Sequence, residues 1–329
     1  MTTIPKEPAQ VMKQRVGSVL GKQTILKSDH FPGCQNKRLT PQIDGAPNYR
    51  QADSLRVHGV AIPTTEGIRN VLDYIGAQKN GKKTKVLWHN LREEPVVYIN
   101  GRPFVLRDVE RPFSNLEYTG INRERVEQME ARLKEDILQE AARYGNKILV
   151  TDELPDGQMV DQWEPVTNDF VKTPLEVYEE LQVEGYRVDY ERVPITDEKS
   201  PKEQDFDLLV YRISQAGMNT EVIFNCQMGR GRTTTGMVVA TLVYLNRIGA
   251  SAFQGCYSKF YKKKGVKKIG VGEIFPQNFN WYEGHVSDRS TGSSMDNLAF
   301  KESSIGSLVP INDSLTSSSP PIDTADDVT

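Results

Sequence analysis

The stretch Glu221-Val222-Ile223-Phe224-Asn225-Cys226-Gln227-Met228-Gly229-Arg230-Gly231-Arg232-Thr233-Thr234-Thr235-Gly236 runs from an apolar strand pattern, through a glycine-containing loop, into the start of a helix. An uninterrupted apolar run such as Val222-Ile223-Phe224 suits a strand buried on both faces. The two glycines let successive backbone N–H groups turn inward as an anion-binding nest. The helix that follows adds its positive dipole end and its unsatisfied amides. An oxyanion such as phosphate is the natural guest. Cys226 stands at the base of the loop in the same field, which favours thiolate and makes it a nucleophile near neutral pH. Arg232, six positions on, is able to fork onto two phosphate oxygens, a task lysine performs poorly. Thr233 is placed to hydrogen-bond the sulfur and make it a better leaving group. The expected phosphate cradle is therefore Gln227, Met228, Gly229, Arg230, Gly231 and Arg232, with Arg230 adding charge for a polyanion. Other readings of the glycines fail. A Walker loop needs lysine after Gly231, a dinucleotide fingerprint needs glycine where Thr234 stands, and no local signature supports a cysteine protease.

Working outward, the apolar positions alternate between strand and helix periods. Residues 55–62 read as a strand, Thr64 as the cap of a helix carrying Ile68, Val71, Leu72 and Ile75, and 85–88 as a second strand. Residues 95–106 read as a hairpin turned by Asn100-Gly101, the strongest short-range turn signal. Residues 121–144 are a charged amphipathic helix whose charge density predicts a solvated outer face. Strands follow at 147–150 and 186–193, with a helix between them that opens on Thr173-Pro174. A helix over 206–215 then leads into the loop strand, and 233–248 is a long apolar helix. Strands alternating with helices predict an α/β domain around a largely parallel sheet. The domain is expected over residues 21–251, after a flexible N-terminus at 1–20. Residues 252–329 read as an atypical tail, basic over Lys262–Lys268, then rich in Ser and Thr and disordered.

Composition narrows the function classes. With 329 residues and a net charge of −3, the chain is long enough for a real core and lacks the basic excess of a nucleic-acid binder. The three cysteines, Cys34, Cys226 and Cys256, make no disulfide framework and suit a reducing, cytosolic setting. Cys34 and Cys256 read as inert thiols. The four histidines show no metal-ligand spacing, so neither a metal nor another cofactor is expected. No apolar run approaches a membrane span, and residues 1–13 do not read as a signal peptide.

Cys226, five intervening residues, Arg232 and Thr233 resemble the signature of the cysteine-dependent, protein-tyrosine-phosphatase-like superfamily. Thr173–Glu180, Gly185–Glu198, Trp88–Pro95 with Ile99-Asn100-Gly101, Lys27–Cys34 and Arg56–Thr64 resemble segments of its phytase-like members, so the likeness covers roughly residues 20–250. It implies a cysteine-phosphatase-like three-layer fold with flanking helices. It also implies a loop aspartate that protonates the leaving oxygen, matched here by Asp197. A loop between Pro194 and Pro201 suits a mobile flap, although Glu198, Asp205 and Asp207 stand close by. Arg92 and Glu93 read either as support for the pocket rim or as a surface ion pair.

Two departures stand out. Active members usually carry histidine where this chain has Asn225, and asparagine replaces that residue's hydrogen bonds but not its charge. The family fold also continues past the loop helix and belongs to longer chains, so a truncated or spliced form is the expectation. The functional expectation is a cysteine-dependent phosphatase of phosphate monoesters, acting on inositol polyphosphates or phosphoinositides. The alternative is a phosphatase-like module that binds phosphorylated ligands in signalling.

Overall fold

The computed structural model describes residues 7–30, 34–77, 84–116 and 118–248. In chain order it forms α1 (Pro8–Gln14), β1 (Thr24–Ser28), β2 (Arg50–Gln51), β3 (Val57–Ala61), α2 (Thr65–Tyr74) and β4 (Val86–Arg92). The hairpin of β5 (Val96–Ile99) and β6 (Arg102–Asp108) leads to α3 (Arg123–Arg143), β7 (Lys147–Glu153) and β8 (Met159–Pro165). Then come β9 (Val171–Lys172), α4 (Pro174–Val183), β10 (Val188–Ile195), α5 (Glu203–Gln215), β11 (Glu221–Cys226) and α6 (Gly231–Arg247).

Local chemistry sets these boundaries. Thr64 caps α2 by accepting from the Gly67 amide, and Thr173 and Glu176 close a reciprocal capping box on α4. Asn100 and Gly101 hold φ of 50° and 79°, the two positive angles a tight I′ hairpin turn requires.

One sheet has five strands in the order β10-β4-β11-β3-β2, parallel except for the edge pair β2–β3. Its core strands are buried throughout, as the unbroken apolar run at Val222–Phe224 predicts. On one face Ile223, Trp88 and Val60 pack with Ile68 and Leu72 of α2 and Leu181 of α4. On the other, Phe224, Leu87 and Val57 pack with Leu209 and Ile213 of α5 and Met237 and Tyr244 of α6. These are the three layers expected. β11 is the middle strand, so the loop after it leaves from the centre of the parallel sheet at its C-terminal edge, where α/β folds place ligands.

A second sheet of six strands, β8-β7-β1-β6-β5-β9, is antiparallel except between β1 and β7, and α3 packs on it through Leu133, Ile137 and Ala141. The sequence reading contained its hairpin and the strand at 147–150 but not the sheet. Two corrections belong to it. The stretch expected to be flexible over residues 1–20 is ordered from residue 8: Val11 and Met12 are buried, and Arg15 donates to the Leu149 carbonyl at 2.9 Å and pairs with Glu140. Nor are all the charges of α3 solvated. Glu130 pairs with Arg192, Glu140 with Arg15, and Asp136 accepts from the amides of Val19 and Leu20 at 2.7 and 3.1 Å, all three acids being buried. Buried charges need such partners. Cys256, His285 and the whole span 252–329 lie outside the described residues.

His89 of β4 stacks on Phe224 at 5.0 Å between ring centres, fully enclosed. Burial, and after it the Arg212 guanidinium, pushes its imidazole from 6.5 down to about 3. The unfolded chain therefore binds this proton well before the folded one, so stability is fully present above pH 6.5 and falls as pH drops towards 3, by about 1.4 kcal/mol per unit. Urea unfolding at pH 7.5 and pH 5 is expected to show wild type losing about 2 kcal/mol more than His89→Gln. Equal losses in the two proteins would contradict this origin.

Candidate active site

The C-terminal ends of three parallel strands converge. β11 ends at Cys226, β4 at Arg92 and β10 at Ile195, two residues before Asp197. Cys226, Arg232 and Thr233 are buried, with 3%, 5% and 0% exposure. The Thr233 hydroxyl donates to Cys226 Sγ at 3.1 Å, the contact its position predicts. Arg232 donates from Nη1 to the Ile195 carbonyl at 3.2 Å, and its Nε lies 3.2 Å from Asp197 Oδ1. Of the acids weighed for the flap, Asp197 is the one that meets Arg232; Asp205 and Asp207 sit on α5. A cavity of about 210 Å³ opens beside this pair, lined by Glu93, Asn115, Tyr118, Asp197, Lys199 and Arg232. That is smaller than the ~300–1,000 Å³ of a drug-sized pocket.

The loop is held from outside through its carbonyls. Gln227 O accepts from the Ile62 amide at 3.0 Å, Met228 O from Asn48 Nδ2 at 2.7 Å, and Gly229 O from Arg50 Nη1 at 2.5 Å. Three consecutive carbonyls turned outward leave the loop's N–H groups to the inside, which is the geometry of a nest. Gly229 has φ of 65°, and a Cβ there would lie 2.4 Å from the Ala61 amide nitrogen, so no other residue fits without moving backbone. Arg230 occupies the N-cap position of α6, makes no side-chain cap bond and is exposed.

Several partners were not identified from sequence. Arg50 also reaches Thr234 Oγ1 at 2.9 Å; burial holds its guanidinium below the ordinary value, and the Cys226 sulfur offsets only part of that. Arg92, read as rim support or surface ion pair, is fully buried and bridges Asp29 to Glu94. Burial would lower its guanidinium, but Asp29 and Glu94 outweigh it and Cys226 adds to them, so the net direction is up. Half-buried Arg50 and fully buried Arg92 thus both interact electrostatically with Cys226. No local signal ties Asn48 or Arg50 to a loop some 180 residues later.

Asn225 is engaged elsewhere. Its Oδ1 accepts from Trp88 Nε1 at 2.9 Å and its Nδ2 donates to Asn90 Oδ1 at 3.3 Å, continuing to the Tyr190 hydroxyl at 3.2 Å. The residue ties three strands together beneath the loop. Cys34 is buried, and burial, with Asp29 next, pushes its thiol up to about 12, in keeping with an inert thiol. Among the described residues no cluster of His, Cys, Asp and Glu could hold a metal, and no helix is long and apolar enough to cross a membrane.

Parts of the chain are similar to known proteins. Residues 89–244 match the family model PTP-like phytase, described as "Inositol hexakisphosphate". The chain is 29% identical over 225 residues to paladin of Gallus gallus, covering 68% of this chain and 24% of that protein. To paladin of Homo sapiens it is 29% identical over 202 residues, covering 60% and 20%. It therefore spans about a fifth to a quarter of the length of these relatives. Among solved structures, the PTP-like myo-inositol phosphatase from Mitsuokella multacida, in complex with myo-inositol-(1,3,4,5)-tetrakisphosphate, is 19% identical, with 68% of this chain and 38% of that one covered and a TM-score of 0.49. A PTP-like phytase from Bdellovibrio bacteriovorus is 26% identical, with 60% and 62% covered and a TM-score of 0.42. Fold and site together define a cysteine-phosphatase-like α/β module. Residues 89–244 resemble the PTP-like phytase family, and the chain is similar to paladin.

Gly229→Ala is expected to leave the fold intact and displace the loop. Orthovanadate, a phosphate mimic, should then bind at least tenfold more weakly, about 1.4 kcal/mol, by calorimetric titration. Unchanged vanadate affinity would contradict the inward-facing amides.

Proposed function

We propose that this domain is a cysteine-dependent phosphate-monoester phosphatase whose substrates are inositol polyphosphates or phosphoinositides. The observation that carries the reading is the meeting of Cys226, Arg232, Thr233 and Asp197 at one strand edge. The match to a phytase family model described by inositol hexakisphosphate supports that substrate class. Cys226 thiolate attacks phosphorus in line, forming the S–P bond as the P–O bond to the leaving group breaks. Arg232 and the loop amides hold the phosphoryl oxygens. Asp197 gives its proton to the departing alkoxide. Water then attacks the cysteinyl-phosphate, Asp197 takes the water's proton, and the S–P bond breaks to return the thiolate, with Thr233 donating to the sulfur. The chemistry needs no cofactor, and a thiol nucleophile suits a reducing compartment such as the cytosol.

Asn225 favours a second reading. With both ends of its amide committed to Trp88 and Asn90, it lends the loop no charge, which suits a module that binds phosphorylated ligands without turning them over. Phosphate release from labelled inositol hexakisphosphate and from an aryl phosphate separates the two. Wild type is expected to release phosphate from both, Cys226→Ser from neither, and Asp197→Ala to lose about 10²-fold or more on the inositol ester. Binding of the polyanion with release no faster than in Cys226→Ser would leave only the binding module.

A further inference from the structure

The polar contacts around the site form a circuit. Gln227 Nε2 donates to Asp29 Oδ1 at 3.0 Å, and Asp29 Oδ2 pairs with Arg92. Arg92 pairs in turn with Glu94 Oε2, and Glu94 Oε1 accepts from Arg107 Nη1 at 2.5 Å. Arg107 Nη2 donates to Asn115 Oδ1 at 2.8 Å, and Asn115 Nδ2 donates to Asp197 Oδ2 at 3.0 Å. Asp197 Oδ1 closes the circuit on Arg232. Both ends thus lie on the phosphate loop, at Gln227 and at Arg232.

Asn115 is the link at which orientation matters most. An arginine only donates, so facing Arg107 the amide must present its oxygen, and its NH₂ then faces Asp197. Asp197 Oδ2 is thereby fixed as the acceptor of this NH₂, while Oδ1 faces Arg232 and accepts from the Glu198 amide at 3.2 Å. A phosphate that takes over Arg232 removes one of the two donors facing Oδ1, while Oδ2 stays tethered to Asn115.

On the reading of the site as a phosphatase, we propose that Asn115, oriented by Arg107, is a positioning residue that holds the Asp197 carboxyl over the cavity while Arg232 changes partner. In the first step the carboxyl gives its proton to the leaving oxygen as the P–O bond breaks. In the second, it receives a proton from water as the S–P bond is cleaved. Asn115 itself exchanges no proton.

The role predicts a leaving-group signature that a merely structural residue would not give. Phenyl phosphate and p-nitrophenyl phosphate differ little in size, but the phenoxide needs a proton far more than the nitrophenoxide does. Asn115→Ala removes the donor, and Asn115→Asp keeps the shape and the Arg107 contact while presenting an acceptor to Asp197. Asn115 lies on a half-buried loop, and circular dichroism melts monitor the fold of each variant. Both variants are expected to lose about tenfold or more in kcat/KM on phenyl phosphate and less than about threefold on p-nitrophenyl phosphate, the pattern also expected of Asp197→Ala. Parallel losses on the two substrates, or wild-type rates in Asn115→Asp, would overturn the positioning role while leaving the phosphatase reading standing. A wild type that hydrolyses neither ester above the Cys226→Ser background would remove that reading, and this role with it.

Discussion

A loop that binds an anion through its backbone can do so only if its carbonyls point away, and most of the site follows from that requirement. Each outward carbonyl needs a donor, because a buried unsatisfied C=O costs about 1–3 kcal/mol. The donors come from three places: the Ile62 amide after β3, the Asn48 side chain and the Arg50 side chain. They explain why a stretch with no regular structure, residues 34–49, is packed closely enough to bury Ala46, Asn48 and Tyr49. They also explain Gly229, whose positive φ and 2.4 Å approach to the Ala61 nitrogen let the loop lie against β3.

The second constraint is electrostatic. Arg92, Glu94, Arg107 and Asp29 are each removed from water, and isolated charges so placed would be intolerable. Arranged with alternating sign, they neutralise one another. Burial alone would raise the Glu94 carboxyl, yet Arg92 and Arg107 bring it below its ordinary value. Removing one member leaves its neighbour buried and unpaired, at a typical cost of about 3–5 kcal/mol. Part of the second sheet serves this purpose: β1 leads into Asp29 and β6 carries Arg107, so the sheet supplies charges to a site built on the first.

How much of this the sequence revealed depended on the range of the interactions. Caps and turns were readable because their partners lie within four residues: Thr64 with Gly67, Thr173 with Glu176, Asn100 with Gly101. The parallel sheet was readable from the unbroken apolar strands, and Cys226, Arg232 and Thr233 from a spacing that only a strand–loop–helix turn makes sensible. Asp197 came through resemblance, and its contact with Arg232 supplies the geometry. Asn48, Arg50, Asn115 and Arg107 were invisible because each is an ordinary polar residue whose partner is distant in the chain or reached through another side chain. The acids of α3 were misread for the same reason. Glu130, Asp136 and Glu140 look like a solvated face until Arg192, the Val19 and Leu20 amides and Arg15 are brought against them.

The central claim is that Cys226 does not merely face a bound phosphate but takes it. Rapid acid quench of the Asp197→Ala protein mixed with p-nitrophenyl phosphate, followed by peptide mass spectrometry, tests this most directly. The account predicts a phosphoryl group on the peptide containing Cys226, absent from the Cys226→Ser protein. No adduct on Cys226, with the ester bound and intact, would contradict it.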